Sequence, residues 1–265
     1  MSKNIDKYSS KIRIGFFFGG RSVEHEVSVI SGLQAMYALN TEKYAPVPIY
    51  ITKEGIMYTG GRVGEIEAYG NIPELLAGAQ RVNLVNEKNH YLLVRYPEKK
   101  FSDNILAEIE AAFPIVHGTN VEDGTLQGYL KTIGVPFVGC DALSSACCMD
   151  KEITNTLADA AGIPQAKWLG FSKYEYDKAP EEHNKKAEEY LGFPIFVKPA
   201  NAGSSVGVTK AVDTDSLKKA VDKAFNEDSK IVLEEGVDGM EVECAVLGNE
   251  EPIASICGEI VPCND

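Results

Sequence analysis

The stretch KIRIGFFFGGRSVEHEVSVISG, residues 11–32, constrains the fold more than any other part of the chain. A run of isoleucines and phenylalanines ends in paired glycines. It then passes into apolar residues at helical spacing: Val27, Ile30, Leu33, Met36 and Tyr37. YAPVPIYIT, 44–52, reads as a second strand. Strand, helix and strand in that order imply a parallel sheet with a crossover helix, and so an α/β fold. The glycine turn also raises a chemical question. Glycine-rich approaches to helix N-termini attract anions, because backbone N–H groups and the helix dipole point at the ligand. Here Glu24 and Glu26 stand where an anion would have to sit.

Residues 53–103 read as an elaboration of this first unit, with a turn at YTGGRVG and a strand at HYLLVRYP. ILAEIEAAFPIVHG predicts a helix and then a buried strand ending near His117. EDGTLQGYLKTIGVPFVG predicts a helix and the short strand PFVG. The character changes near Cys140. DKEITNTLADAAGI reads as a helix, KWLGF as a strand, and KAEEYLGFPIFVKPANAGSSVGVTKAV as helix, strand, glycine-rich turn and strand. DTDSLKKAVDKAFNE is amphipathic, with Leu217, Ala220, Val221, Ala224 and Phe225 on one face and aspartates at its start. KIVLEEGV and MEVECAVLG follow as strands. The expected organisation is a loose tail at 1–10, an N-terminal parallel-sheet α/β domain at 11–139, and a central α+β lobe at 140–233. A third lobe begins at 234–265, with strands but no helix to cover them, and reads as incomplete.

A length of 265 residues suits two modest domains, and 44% hydrophobic with 25% charged residues is the composition of a soluble globular protein. The net charge is −13 and the lysines and arginines are scattered, which argues against a nucleic-acid partner. A few placed lysines still suffice for a small anion. No apolar run reaches transmembrane length, and the polar opening MSKNIDKYSSK lacks a signal-peptide core; a cytoplasmic protein without a membrane partner is expected. The six cysteines form no CxxC pair, and several lie in apolar runs, so they are expected as small buried core residues rather than metal ligands.

Four segments carry candidate chemistry. VKPANAGSSVGVTK, 197–210, is not a GxxxxGK[ST] phosphate loop and joins two strands, yet a glycine-serine hairpin can fold over phosphates. Gly203 and Gly207 would permit close approach, and Ser204 and Ser205 would donate hydrogen bonds, with Lys198 as a compact cation beside them. A flexible hairpin with a surface lysine fits those residues equally well. In CCMDKEIT, Asp150 reads as a helix N-cap. Lys151 then falls in the first turn, where the dipole disfavours a cation unless an anion shares the site; a solvated lysine is the plainer alternative. VLEEGVDGMEVE, 232–243, offers acids beside a strand-to-strand turn. Glu234, Val237 and Glu241 would suit an adenine edge and ribose hydroxyls, as would a solvated acidic hairpin suit the sequence. His117 stands at the C-terminal end of a buried strand, where open α/β sheets place ligands, although a locally hydrogen-bonded histidine fits as well.

Taken in order, GGRSVEHEVSVISG, HGTNVEDGTLQG, SSACCMDK, VKPANAGSSVGV and LEEGVDGMEV resemble the ATP-grasp superfamily and, within it, the D-alanine–D-alanine ligases. The resemblance runs from Lys11 onward. It implies a pre-ATP-grasp N-terminal domain followed by an ATP-grasp lobe, and a reaction in which two D-alanines are joined through D-alanyl phosphate at the expense of ATP, for peptidoglycan. It implies that Glu24 holds the ammonium of the first D-alanine, linked to Ser204 of the flap, with Val27 and His117 near the same substrate. That answers the question of the two carboxylates: the ligand at the turn is a zwitterion. Glu26 only charges the first turn favourably. Lys151 and Lys198, with Ser204 and Ser205, resemble the family's phosphate contacts; Glu234, Glu235, Val237 and Glu241 resemble its adenine and ribose contacts.

The family's metal-binding Asp, Glu and Asn, its oxyanion-stabilising arginine and the loop that reads the second substrate would lie beyond residue 265. ATP with Mg2+ or Mn2+ is thus implied, with no metal ligand expected in this chain, and a homodimer is an expectation from the family. Competing readings are a D-alanine–D-lactate or D-alanine–D-serine ligase of the vancomycin-resistance kind and, for this chain alone, a nucleotide-binding fragment without chemistry.

Overall fold

The computed structural model describes residues 10–203 and 206–261. Strand β1 (Ile12–Gly19) is buried on both faces, as befits a strand covered by elements on either side. Because side chains alternate across a strand, Phe17 enters one apolar cluster while Phe16 and Phe18 enter the other. β1 runs parallel to β2 (Tyr44–Ile51) over its whole length, from Ile12 opposite Tyr44 to Gly19 opposite Ile51. On its other side it runs parallel to β7 (Ala111–Pro114). The crossover helix α1 (His25–Tyr37) covers the Phe16/Phe18 face. Its buried stripe comprises His25, Ser28, Val29, Gly32, Leu33 and Met36, whereas Val27, Ile30 and Tyr37 are exposed, which rotates the helix from the sequence expectation. Gly32 sets the approach: a Cβ there would meet the Phe18 Cβ at 2.5 Å.

The elaboration at 53–103 turns the expected parallel sheet into a mixed one. β3 (Met57–Thr59), β4 (Gln80–Glu87), β5 (His90–Arg95) and β6 (Ile105–Ile109) add antiparallel strands, giving the order β6-β5-β4-β3-β2-β1-β7. A 3-10 turn at Ile66–Gly70 and helix α2 (Ile72–Gly78) roof this half, with Ala68 and Leu75 in the α1 cluster. Residues 105–109 were expected as a helix on their Ala, Glu and Leu content, and that reading fails. Glu108 contacts Arg13 at 3.1 Å and His90 at 2.7 Å, and the Arg13 N–H donates to Glu110 at 2.8 Å. These partners are reachable only when the segment lies extended beside β5 and β1. Since Glu110 alone separates β6 from β7, the two ends of the sheet order are drawn together and the sheet curls. The expected strand PFVG shrinks to one parallel bridge, Phe137 to Ala112. Helix α3 (Thr125–Ile133) packs Leu126 and Leu130 into the Phe17 cluster.

Helix α4 (Ala142–Met149), capped by Asp141, leads into α5 (Lys151–Ala160), capped by Asp150 through the Ile153 N–H at 3.1 Å. The second lobe follows: β8 (Trp168–Ser172), α6 (Lys173–Tyr176), α7 (Pro180–Leu191), β9 (Ile195–Pro199), β10 (Thr209–Ala211), α8 (Thr214–Phe225) and β11 (Lys230–Glu235). Its antiparallel sheet has the order β10-β9-β11-β8. The α8 stripe is buried as the sequence predicts, Leu217, Ala220, Val221 and Ala224 packing on Ile195, Val197, Ile231 and Leu233, with Phe225 partly covered. Residues 237–261 are exposed throughout, and their only strands, β12 (Val242–Glu243) with β15 (Gly258–Glu259) and β13 (Val246–Leu247) with β14 (Ile253–Ala254), are two residues long.

The cysteines are not the core residues they were expected to be. Cys140, Cys148, Cys244 and Cys257 are exposed and Cys147 is half-buried; Cys263 lies outside the described residues. Helix α4 turns only Ser145 inward, and the segment around Cys244 and Cys257 has no core to enter. Among the described residues no helix is long and apolar enough to cross a membrane.

Candidate functional site

The turn after β1 can be built only from glycine. Gly19 and Gly20 have φ of +88° and +109°, and a Cβ would strike the Ile51 carbonyl oxygen at 2.3 Å or Val121 Cγ1 at 2.5 Å. A buried lattice then fixes the start of α1. The Gly19 N–H donates to Ser28 Oγ at 2.8 Å, and Ser28 Oγ donates to the Ile115 carbonyl at 2.7 Å. His25 Nδ1 lies 2.8 Å from the Gly20 carbonyl and Nε2 lies 2.9 Å from the Tyr50 hydroxyl. Because a carbonyl can only accept, Nδ1 is the donor to Gly20. Sequence reasoning passed over His25 and Ser28; their one available signal was polar residues three apart on a helix that begins at a buried strand end.

Glu24 occupies the N-cap position of α1 without a side-chain cap bond. Its carboxylate instead reaches two glycines from distant motifs. A Cβ added to Gly118 would lie 2.4 Å from Oε2, and one added to Gly203 would lie 2.3 Å from the same oxygen. HGTNVEDG and the root of the glycine-serine flap therefore close on this single carboxylate, in a space that admits no side chain. Three and seven residues on, Val27 and Ser31 share the same helical face. Val27 is exposed at 51%, and Ser31 Oγ lies 2.8 Å from His117 Nε2. Glu24, Val27 and His117 thus border one region.

The second cluster rests on α5, β9 and β11. The Lys151 N–H donates to the Ala200 carbonyl, tying α5 to the end of β9, and its Nζ donates to the Ala202 carbonyl at 2.5 Å. Lys198 pairs in register with Val232, which places Glu234 diagonally across on the same sheet face, and Lys198 Nζ meets Glu234 Oε2 at 2.5 Å. Burial, and then the charge of Lys198, hold the Lys151 ammonium below the ordinary lysine value. Glu234, Asp150 and Asp228 act on it in the opposite sense, and two half-buried ammonium groups held this close make a candidate anion site. Behind it, Lys230 bridges Asp150 at 2.6 Å and Glu152 at 2.9 Å, while Asn201 donates from backbone and side chain to Asp228, both at 2.9 Å. The Asn201 contacts anchor the start of the loop that carries the flap. Ser204 and Ser205 lie outside the described residues.

The remaining nucleotide candidates lie at the end of β11 and after it. Glu235 accepts from the Lys167 backbone N–H at 2.8 Å, holding β11 against β8. Val237 and Glu241 are exposed in the segment after β11. Among the described residues no group of three or more His, Cys, Asp or Glu is placed to hold a metal ion.

A glycine turn presenting a carboxylate on one lobe, met by the root of a hairpin from a second lobe that carries paired lysines, defines a two-lobed α/β protein. Comparison with known proteins sharpens this. Residues 13–140 match the family pattern described as D-ala D-ala ligase N-terminus, and 157–265 match D-ala D-ala ligase C-terminus. The chain belongs to the D-alanine–D-alanine ligase family. It is 42% identical over 254 residues to a D-alanine–D-alanine ligase of Bacillus cytotoxicus, covering 96% of this chain and 68% of that one. Among solved structures it is similar to the D-alanine–D-alanine ligase of Coxiella burnetii, with TM-score 0.82 and 32% identity over 95% of this chain and 71% of that one. It is also similar to the VanG D-Ala:D-Ser ligase of Enterococcus faecalis, with TM-score 0.79 and 36% identity over 94% of this chain and 69% of that one.

Proposed function

We propose that this chain supplies the first-substrate and nucleotide sites of an ATP-dependent ligase that joins two D-alanines through D-alanyl phosphate, releasing ADP and phosphate, for peptidoglycan in the cytoplasm. The convergence of Gly118 and Gly203 on the Glu24 carboxylate carries the reading. The two glycines let both motifs approach the carboxylate closely, and a carboxylate there complements the ammonium of an amino acid. Lys198 and Lys151 are positioned for the phosphates of ATP, with Glu234 beside them for the nucleoside, and Ser204 and Ser205 are assigned to the flap's phosphate contacts. On this reading Glu24 and the region of Val27 and His117 hold D-alanine so that its carboxylate faces the γ-phosphate. Ordering the two reactants in this way lowers the barrier mainly through positioning. The two ammonium groups then stabilise charge as it gathers on the transferring phosphoryl group. Closure of the flap from its root at Gly203 would keep water from the acyl phosphate. The divisions at 139/140 and 233/234 form part of the proposal. Magnesium or manganese would neutralise phosphate charge, but the described residues offer it no ligand set, and no step is assigned to it.

The similarity to a D-Ala:D-Ser ligase makes D-serine the leading alternative acceptor, ahead of D-lactate. ATP titration calorimetry on this chain tests the nucleotide site. Lys198→Ala should weaken binding by about 1.5–3 kcal/mol, the size of a charge-assisted contact. Undiminished affinity would overturn the assignment. D-alanine-dependent phosphate release, with D-serine and D-lactate as competing acceptors, identifies the second substrate.

A further inference from the structure

Helix α1 has two working faces. Glu24, Val27 and Ser31 look toward the candidate substrate site, while His25, Glu26, Val29 and Ile30 look the other way, into a cavity of about 490 Å3. The far wall of the cavity is the elaboration absent from a minimal strand-helix-strand unit: Ile66 of the 3-10 turn, Tyr69, and Ile72 and Leu76 of α2. Its floor is the buried Tyr50 ring, set edge-on to Tyr69 with centroids 5.1 Å apart, and the His25 imidazole. All three polar tips on this floor and wall are engaged elsewhere. Tyr69 donates to the Val63 carbonyl at 2.9 Å, and His25 and Tyr50 bond to each other. The interior therefore presents aromatic and aliphatic surface and asks for no hydrogen bond.

The rim is different. Glu26, Lys53 and Glu54 edge the mouth, and Lys53 is paired with Glu26 at 2.6 Å. The rim so carries one net negative charge, placed on Glu54. The Tyr50 hydroxyl registers this field: burial first, and then the charges of Glu54 and Glu26, push its pKa up to about 12. A cavity of this size is in the range that takes a small organic ligand, and aromatic walls with a carboxylate at the mouth select a flat apolar group bearing a positive end.

We infer that the cavity between α1 and α2 is a second ligand site, distinct from the Glu24 region, that takes a small aromatic or aliphatic amine with its apolar body against Tyr50 and Tyr69 and its ammonium at Glu54. Its floor residue His25 adjoins Glu24 in the chain and fixes the same glycine turn, so an occupant touches the lattice that leads into the Glu24 carboxylate.

The test uses tryptamine as the probe, and its anionic counterpart indole-3-propionate as the control. Each is titrated into the isotopically labelled chain while amide resonances are followed. Tryptamine should give saturable shifts at Thr52, Lys53, Glu54 and Ile72, with the anionic indole binding about tenfold more weakly, as one charge contact requires. Glu54→Gln, an exposed rim change, should remove most of that preference. Ile72→Trp should block the cavity and abolish binding, and Ile30→Trp on the exposed face of α1 serves if the first variant is unfolded by circular dichroism. Excess D-alanine should not displace tryptamine, which separates this site from the Glu24 region. Absence of saturable shifts, equal affinity for the two indoles, or displacement by D-alanine would overturn the inference. It stands or falls independently of the ligase reading.

Discussion

Glu234 pairs with Lys198 and acts on the charge of Lys151, and neutralising it gives the most direct reading of the candidate anion site. Its carboxylate meets Lys198 at 2.5 Å, and the two side chains keep only 19% and 26% of their surface exposed. A fully buried pair broken on one side costs about 3–5 kcal/mol, and an exposed pair about 0–1, so this quarter-exposed pair should fall near 1.5–3 kcal/mol. Glu234→Gln keeps the hydrogen-bond acceptor and the volume, so the loss is one of charge: Lys198 is left beside Lys151, whose own ammonium already resists protonation there. The chain's single tryptophan, Trp168, lies on β8 directly opposite Glu234 in register, so its fluorescence reports on this sheet. In urea, with a slope of about 1–3 kcal/mol per molar, the midpoint should drop by on the order of 1 M. Two further readouts separate charge from packing. Raising the salt should recover part of the loss, since like-charge repulsion is screened. Inorganic tripolyphosphate, which carries no adenine, should stabilise the variant more than the parent, because it supplies the missing negative charge to both lysines. An unchanged urea midpoint, or equal stabilisation of both proteins by tripolyphosphate, would refute the view that these lysines form one anion site balanced by Glu234.

If Glu24 receives the substrate ammonium, Glu24→Gln should weaken D-alanine binding in the presence of ATP by about tenfold or more while leaving ATP affinity in place, as calorimetry would show. Equal D-alanine affinity would remove Glu24 from the site. Lys151 has a folded pKa below its unfolded value near 10.4, so the unfolded chain binds more protons between the two values and stability should rise with pH across that window. Resonances of methylated lysines followed by NMR should show Lys151 titrating low, and moving up in Lys198→Ala; no movement would exclude coupling between the two ammonium groups. Gly32→Ala places a methyl 2.5 Å from the Phe18 Cβ, and overpacking of about 1–3 kcal/mol should outweigh the gain of about 1 kcal/mol in helix propensity. A higher melting temperature would show that α1 can lift from β1 at little cost.

Much of the outline was legible because it is written in neighbours along the chain. Three consecutive phenylalanines with no polar partner announce a strand covered on both faces, and Gly19 and Gly20 announce a turn that no other residue can make. Asp150 and Asp213 declare helix starts through bonds to N–H groups three residues on, at Ile153 and Ser216. The candidate site residues were legible for a different reason: the order of five short motifs matches a family, and that match needs no geometry.

What lay beyond the sequence depends on pairs far apart in the chain. Ala, Glu and Leu at 105–109 favour a helix locally, yet Arg13 and His90 make a strand the lower state by offering the carboxylates partners. The stripe of α1 could be read to within a turn but not its rotation, because Val27 and Ile30 are apolar on faces turned away from the core. Cysteines in apolar runs looked buried, but apolar neighbours in sequence do not create a core around them. The same holds for the site. That Lys198 meets Glu234 follows from the register of β9 against β11, and that Glu24 lies under Gly203 follows from one lobe closing on another. Local preference is settled within a turn of helix or a stretch of strand, where the interacting atoms are a few bonds apart. Which charges meet, and which face is covered, is settled only when segments a hundred residues distant are brought into contact, and there the pairing energies exceed the local ones.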